Sequence, residues 1–94
     1  MSKLAAISIE VYGLVQGVGF RYMTKNLADQ LGIVGKVLNR DDGSVYIEAQ
    51  GNTEDLSAFI EGVKASPTPA GRVDQVKLTH IPENSYTRFS VAYL

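Results

Sequence analysis

Two hydrophobic spacings alternate along this chain, and their order restricts the fold more than any other feature. Ile7, Ile9 and Val11 alternate with Ser8, Glu10 and Tyr12, a period of two that predicts a strand with one buried face. From Phe20 the period lengthens. Phe20, Met23, Thr24, Leu27, Ala28 and Leu31 share one helical stripe, with Arg21, Lys25 and Asp29 off it. Gly32 is placed to stop this helix in a left-handed cap. A strand over Val34–Asn39 and another through Val45, Ile47 and Ala49 flank Asp42-Gly43, a hairpin turn signal. Helical spacing then returns in Leu56, Phe59, Ile60 and Val63. Asn52 or Thr53 can cap that helix, and Glu54 and Asp55 suit its positive first turn. Pro67 and Pro69 mark a connection over residues 66–71. Val73, Val76, Leu78 and Ile81 mark a fourth strand, residues 82–86 a turn, and Phe89, Val91 and Tyr93 a last strand.

The order is therefore β-α-β-β-α-β-β. Right-handed crossovers in each β-α-β half put both helices on one face of the sheet. The expected fold is α+β: a ferredoxin-like β-α-β-β-α-β sandwich with an added C-terminal strand, its sheet mixed or antiparallel. At 94 residues the chain is expected to form one domain over residues 1–94. The fold hosts many activities and selects none of them.

Composition narrows the classes. A net charge of -1 gives no global attraction to nucleic acid or anionic membrane. Cysteine is absent, so a disulfide framework, a thiolate nucleophile and a cysteine metal site are excluded. Residues 1–6 lack the continuous apolar core of a signal peptide, and no stretch approaches a membrane span. The expectation is a cytoplasmic monomer that binds neither membrane nor nucleic acid.

The most informative segment is Gly13-Leu14-Val15-Gln16-Gly17-Val18-Gly19-Phe20-Arg21, which joins the first strand to the first helix. Glycines allow main-chain N–H groups to approach a ligand closely, and the first N–H groups of a helix lack internal partners. The helix dipole favours an anion there, and Arg21 adds a planar cationic fork suited to two phosphate oxygens. Nucleotide-binding patterns do not match. No Gly-Lys-Ser/Thr opens the helix, and Tyr22 stands where a dinucleotide fingerprint needs its third glycine. On physical grounds alone a phosphate cradle and a simple connecting turn remain equally open.

Residues 13–21 are similar to the signature of the acylphosphatase family, with every fixed position in agreement. Residues 35–45, Gly35-Lys36-Val37-Leu38-Asn39-Arg40-Asp41-Asp42-Gly43-Ser44-Val45, resemble its second block, and Phe89-x-Val91-x-Tyr93 fits its end loosely. Three positions depart: Lys36 replaces a usual aromatic, Leu38 a usual arginine and Ala92 a common arginine. The resemblance implies an acyl phosphate as small-molecule substrate. It implies phosphate binding by Arg21 and by the main chain of Gln16, Gly17, Val18, Gly19 and Phe20. Arg21 and Asn39 would be catalytic, with Asn39 orienting water. No cofactor or metal is expected.

That assignment is chemically coherent. Phosphoryl transfer needs positioning and charge stabilisation more than covalent help. A neutral amide is a poor base, so the substrate must bring a good leaving group. A carboxylate whose acid has a pKa of about 4 is one. Without the resemblance, Asn39 reads as a turn-initiating residue.

Other candidates read as structural. His80 stands alone in the fourth strand, and one histidine without cysteine makes no zinc site. Asp41 and Asp42 suit a solvated turn. Tyr12, Tyr22, Tyr46, Tyr86 and Tyr93 are scattered, with no RNA-recognition block around them. The competing readings are a domain like that opening a large hydrogenase-maturing carbamoyltransferase, which a free single domain argues against, and a non-catalytic anion- or RNA-binding module.

Overall fold

The computed structural model describes residues 3–93; residues 1, 2 and 94 of the expected domain lie outside the described residues. Seven elements follow in the expected order: β1 (Leu4–Leu14), α1 (Phe20–Leu31), β2 (Val34–Asn39), β3 (Val45–Asn52), α2 (Thr53–Lys64), β4 (Arg72–His80) and β5 (Phe89–Val91). They build a five-stranded sheet in the order β4-β1-β3-β2-β5. All pairings are antiparallel except β2 with β5, so the sheet is mixed.

The periodicities locate the core. Ile9, Val11, Val37, Val45, Ile47 and Ala49 are fully buried on one sheet face, beneath Ala28 of α1 and Phe59 and Val63 of α2. Phe89 of β5 packs on Phe59 with ring centroids 5.9 Å apart. Phe20, the first residue of α1, is 1% exposed and seats that helix start on the sheet. Removing such a ring costs about 3–5 kcal/mol.

The two helix starts differ. The side chain of Asn52 accepts a bond from the Asp55 N–H, and Glu54 and Asp55 offset the dipole of α2. Gly19 caps α1 in the left-handed region (φ 77°), a conformation that favours glycine, and has no side-chain capping bond. No acidic residue lies in its first turn.

Three details depart from the periodicity. Gly13 belongs to β1, opposite Val73, rather than to the loop. A bulge between Tyr12 and Gly13 shifts the register against β4. It explains the spacing of three between Val73 and Val76, since the extra residue lets both valines pack on the core. β4 ends at His80 rather than Ile81, and Tyr93 lies just beyond β5.

Candidate active site

Strand directions decide where residues distant in sequence meet. β1 and β2 both run antiparallel to β3, and β5 runs parallel to β2. The carboxyl ends of β1, β2 and β5 therefore lie at one edge of the sandwich, where α1 begins. A cleft of about 270 Å³ opens there, lined by Val15, Gly17, Gly19, Phe20, Arg21, Tyr22, Asn39, Val91 and Tyr93. Asn39 is opposite Val45, whose side chain is fully buried, so it lies on the helix-covered face and points toward α1.

Arg21 is half-buried and held from the C-terminal side. Its Nη1 donates to the Ala92 carbonyl at 3.3 Å, and its guanidinium lies 4.7 Å from the centre of the Tyr93 ring. The first main-chain bond of α1 runs from the Met23 N–H to the Gly19 carbonyl. The N–H groups of Phe20, Arg21 and Tyr22 thus have no acceptor within the helix. Asn39 Oδ1 is buried and has no hydrogen-bond partner among the described residues. Among the residues lining the cleft, Arg21 is the one charged side chain.

Two side-chain tethers hold the loop. Gln16 Nε2 donates to the carbonyls of Arg40 and Ser44, at 2.8 and 2.9 Å. This ties the loop to the hairpin directly after Asn39. Thr68 Oγ1 donates to the Val18 carbonyl at 3.0 Å, tying the loop to the α2–β4 connection. Of the expected phosphate-binding residues, Gly17, Gly19, Phe20 and Arg21 line the cleft with Asn39. The side chain of Gln16 is engaged with the hairpin, and Val18 packs against the core. The tether roles of Gln16 and Thr68 escape a reading of spacing, because each depends on contacts across 24 or more residues.

The tyrosines divide into two groups. Tyr12 donates to Glu10, and Tyr46 and Tyr86 donate to Glu48. Glu10, Tyr46 and Glu48 are on the sheet face away from the helices, where Arg40 pairs with Glu10 at 2.8 Å and stacks on Tyr46. Bonds from Tyr12 and then Arg40 hold the Glu10 carboxyl below its ordinary range. Burial works against charge on Glu48, but its two tyrosine donors outweigh that and lower its pKa. Tyr22 and Tyr93, treated as scattered on sequence alone, both line the cleft.

The departures at Lys36, Leu38 and Ala92 leave the cleft intact. Lys36 and Leu38 are opposite Glu48 and Tyr46, on the face away from it. Ala92 meets Arg21 through its carbonyl, so its side chain is not used. His80 is exposed, opposite Ile7 near the other end of β1.

A family model described as Acylphosphatase matches residues 7–91. An acylphosphatase of Ligilactobacillus salivarius is 53% identical over 85 residues, covering 90% of this chain and 94% of the relative. The crystal structure of acylphosphatase from Bacillus subtilis matches with a TM-score of 0.91 at 40% identity, over 97% of this chain and 100% of that one. Full-length HypF in its phosphate- and nucleotide-bound form matches with a TM-score of 0.89 at 30% identity, over 98% of this chain and 12% of that one.

Proposed function

The chain belongs to the acylphosphatase family and is an acyl phosphate hydrolase, and from that premise we propose how its cleft performs the hydrolysis. The phosphoryl group is held by Arg21 and by main-chain N–H groups over residues 16–20, at the start of α1. Water held by the Asn39 side chain attacks phosphorus. The P–O bond to the acyl group breaks, the bonding electrons leave with the carboxylate, and the water oxygen stays on phosphate with its protons. An acyl phosphate dianion and water thus give a carboxylate and dihydrogen phosphate, with charge conserved.

The observation that carries this reading is that Asn39 and Arg21 line one cleft at the start of α1. Asn39 orients the attacking water without strongly basic help. That suffices for a carboxylate leaving group, whereas an ordinary phosphate ester would expel an alkoxide. Charge on the phosphoryl oxygens is met by the guanidinium and the helix start. A cytoplasmic monomer that acts without nucleic acid belongs to the same proposal, and the cysteine-free, weakly acidic composition is compatible with it.

The test is loss of acetyl phosphate with a chelator present. Turnover resists the chelator. Arg21→Ala nearly abolishes it and weakens inhibition by inorganic phosphate. Asn39→Ala lowers kcat by about 100-fold or more while phosphate inhibition is largely kept, the pattern of lost positioning. Folded Asn39→Ala with wild-type turnover would refute the water-positioning role. Tight RNA binding without turnover would favour a non-catalytic module.

A further inference from the structure

The connection over residues 66–71 is a tightly bonded turn, and its buried hydroxyl reaches out of it to the glycine loop. The Thr68 carbonyl accepts from the Ser66 hydroxyl at 2.7 Å and from the Gly71 N–H at 3.2 Å, which fixes the main chain there. Ser66 has φ 65°, a left-handed conformation that a residue other than glycine keeps only where its surroundings impose it. Thr68 is 5% exposed. Its Oγ1 accepts from the Ala70 N–H at 3.4 Å and lies 3.0 Å from the Val18 carbonyl oxygen, 50 residues away in sequence. A carbonyl has no proton to give, so the Thr68 hydroxyl is the donor of that bond.

The Val18–Gly19 peptide is trans, so its C=O and its N–H point in opposite directions. Holding the Val18 carbonyl toward Thr68 turns the Gly19 N–H the other way. Gly19 lines the cleft and Thr68 does not. Among the described residues the Gly19 N–H meets no acceptor. Sterics do not fix this peptide by themselves. Gly19 has φ 77° and no Cβ, so it tolerates either sign of φ and the unit could turn over at little cost. A bond from outside the loop has to set it. We infer that Thr68 is a positioning residue, whose hydroxyl bond to Val18 aims the Gly19 N–H at the phosphoryl group. This inference rests on the phosphate-site reading above. A donor aimed in advance counts most where charge develops on a phosphoryl oxygen, because it needs no reorganisation as the bond to the acyl group breaks.

The experiment follows acetyl phosphate turnover and inhibition by inorganic phosphate in the wild type, Thr68→Val and Thr68→Ser, at a temperature where each is folded. Valine keeps the shape and removes the proton, whereas serine keeps the proton. Thr68→Val should raise the inhibition constant for inorganic phosphate about three- to tenfold and lower kcat/KM for acetyl phosphate about tenfold. Thr68→Ser should restore both toward wild type, whatever its Tm. In NMR spectra the Gly19 amide proton should move downfield as inorganic phosphate is added to the wild type, and should move less in Thr68→Val. Folded Thr68→Val with the wild-type inhibition constant and kcat/KM would overturn the role of Thr68 and leave the phosphate site standing. Thr68→Ser as impaired as Thr68→Val would also overturn it, since packing and not the bond would then be responsible. If Thr68→Val does not fold, the wild type decides: phosphate that shifts the amides of Phe20 and Arg21 but not that of Gly19 would overturn the aim. Wild-type enzyme that neither turns over acetyl phosphate nor shows any loop amide shift would overturn the phosphate site, and the aim of Gly19 with it.

Discussion

Gln16 holds the two halves of the cleft in register, so its removal should affect stability and turnover together. Its Nε2 bonds two carbonyls of the β2–β3 hairpin, those of Arg40 and Ser44. Neither would be orphaned in Gln16→Ala. Arg40 O still accepts from the Gly43 N–H at 3.2 Å, and Ser44 O from the Arg40 N–H at 2.9 Å. The cost is then the net value of two hydrogen bonds, about 2 kcal/mol in all, without the larger penalty for unsatisfied groups. For a domain of this size that is a drop in Tm of about 10 °C. Turnover should fall further than stability explains. Asn39 immediately precedes one of the bonded carbonyls, and a shift of about 1 Å between water and phosphoryl group costs about 100-fold. At a temperature where the variant is fully folded, kcat for acetyl phosphate should fall at least about tenfold. Gln16→Glu sharpens the test, because a carboxylate of the same size faces two carbonyls with no proton to donate. That carboxyl should be pushed above its ordinary pKa. A folded-state pKa raised in this way gives stability that is present at low pH and lost as pH rises through it. Gln16→Glu should therefore be less stable than Gln16→Ala at neutral pH and recover on acidification. Wild-type Tm and kcat in Gln16→Ala would refute the tether.

The backbone of β2 makes a second prediction. Gly35 has φ 144°, and a Cβ there would lie 1.9 Å from the Glu48 carbonyl oxygen. Gly35→Ala should cost about 3 kcal/mol or more by urea unfolding, from backbone strain and overlap combined. Gly43→Ala, with no described atom within 4 Å of the added methyl, should cost about half as much. Alkaline pH probes the outer sheet face. Burial first, and then the bonds to Glu48, push Tyr46 and Tyr86 up to about 12 from an ordinary 10.0. These raised values give stability that is complete below pH 10 and is lost as pH rises from 10 toward 12. Tm should be level up to that window and fall within it, with tyrosinate absorbance lagging behind that of free tyrosine. Level Tm through the window would refute the shift.

The element order is legible because burial imposes a period on each segment. Ile7, Ile9 and Val11 mark the buried face of β1, and the stripe from Phe20 to Leu31 marks α1. The loop motif is legible because a glycine at the start of α1 and an arginine two residues later are local features. The cap residue Asn52 is readable for the same reason. Legibility fails where one residue acts through a partner far along the chain. Gln16 looks like another loop position until its side chain meets the hairpin. The carbonyl that steadies Arg21 belongs to Ala92, 71 residues away, and no side chain announces it.

Sequence alone thus determined which residues form strands and helices and which sides are buried. The tertiary structure decided that β1, β2 and β5 run the same way, which brings Val15, Asn39 and Tyr93 to one cleft. It also decided that Tyr22 and Tyr93, unrelated by any period, share that cleft while Tyr46 faces the other side. The physical reason is that periodicity records one element's orientation to the core. Pairing between strands distant in sequence fixes which ends of those elements coincide.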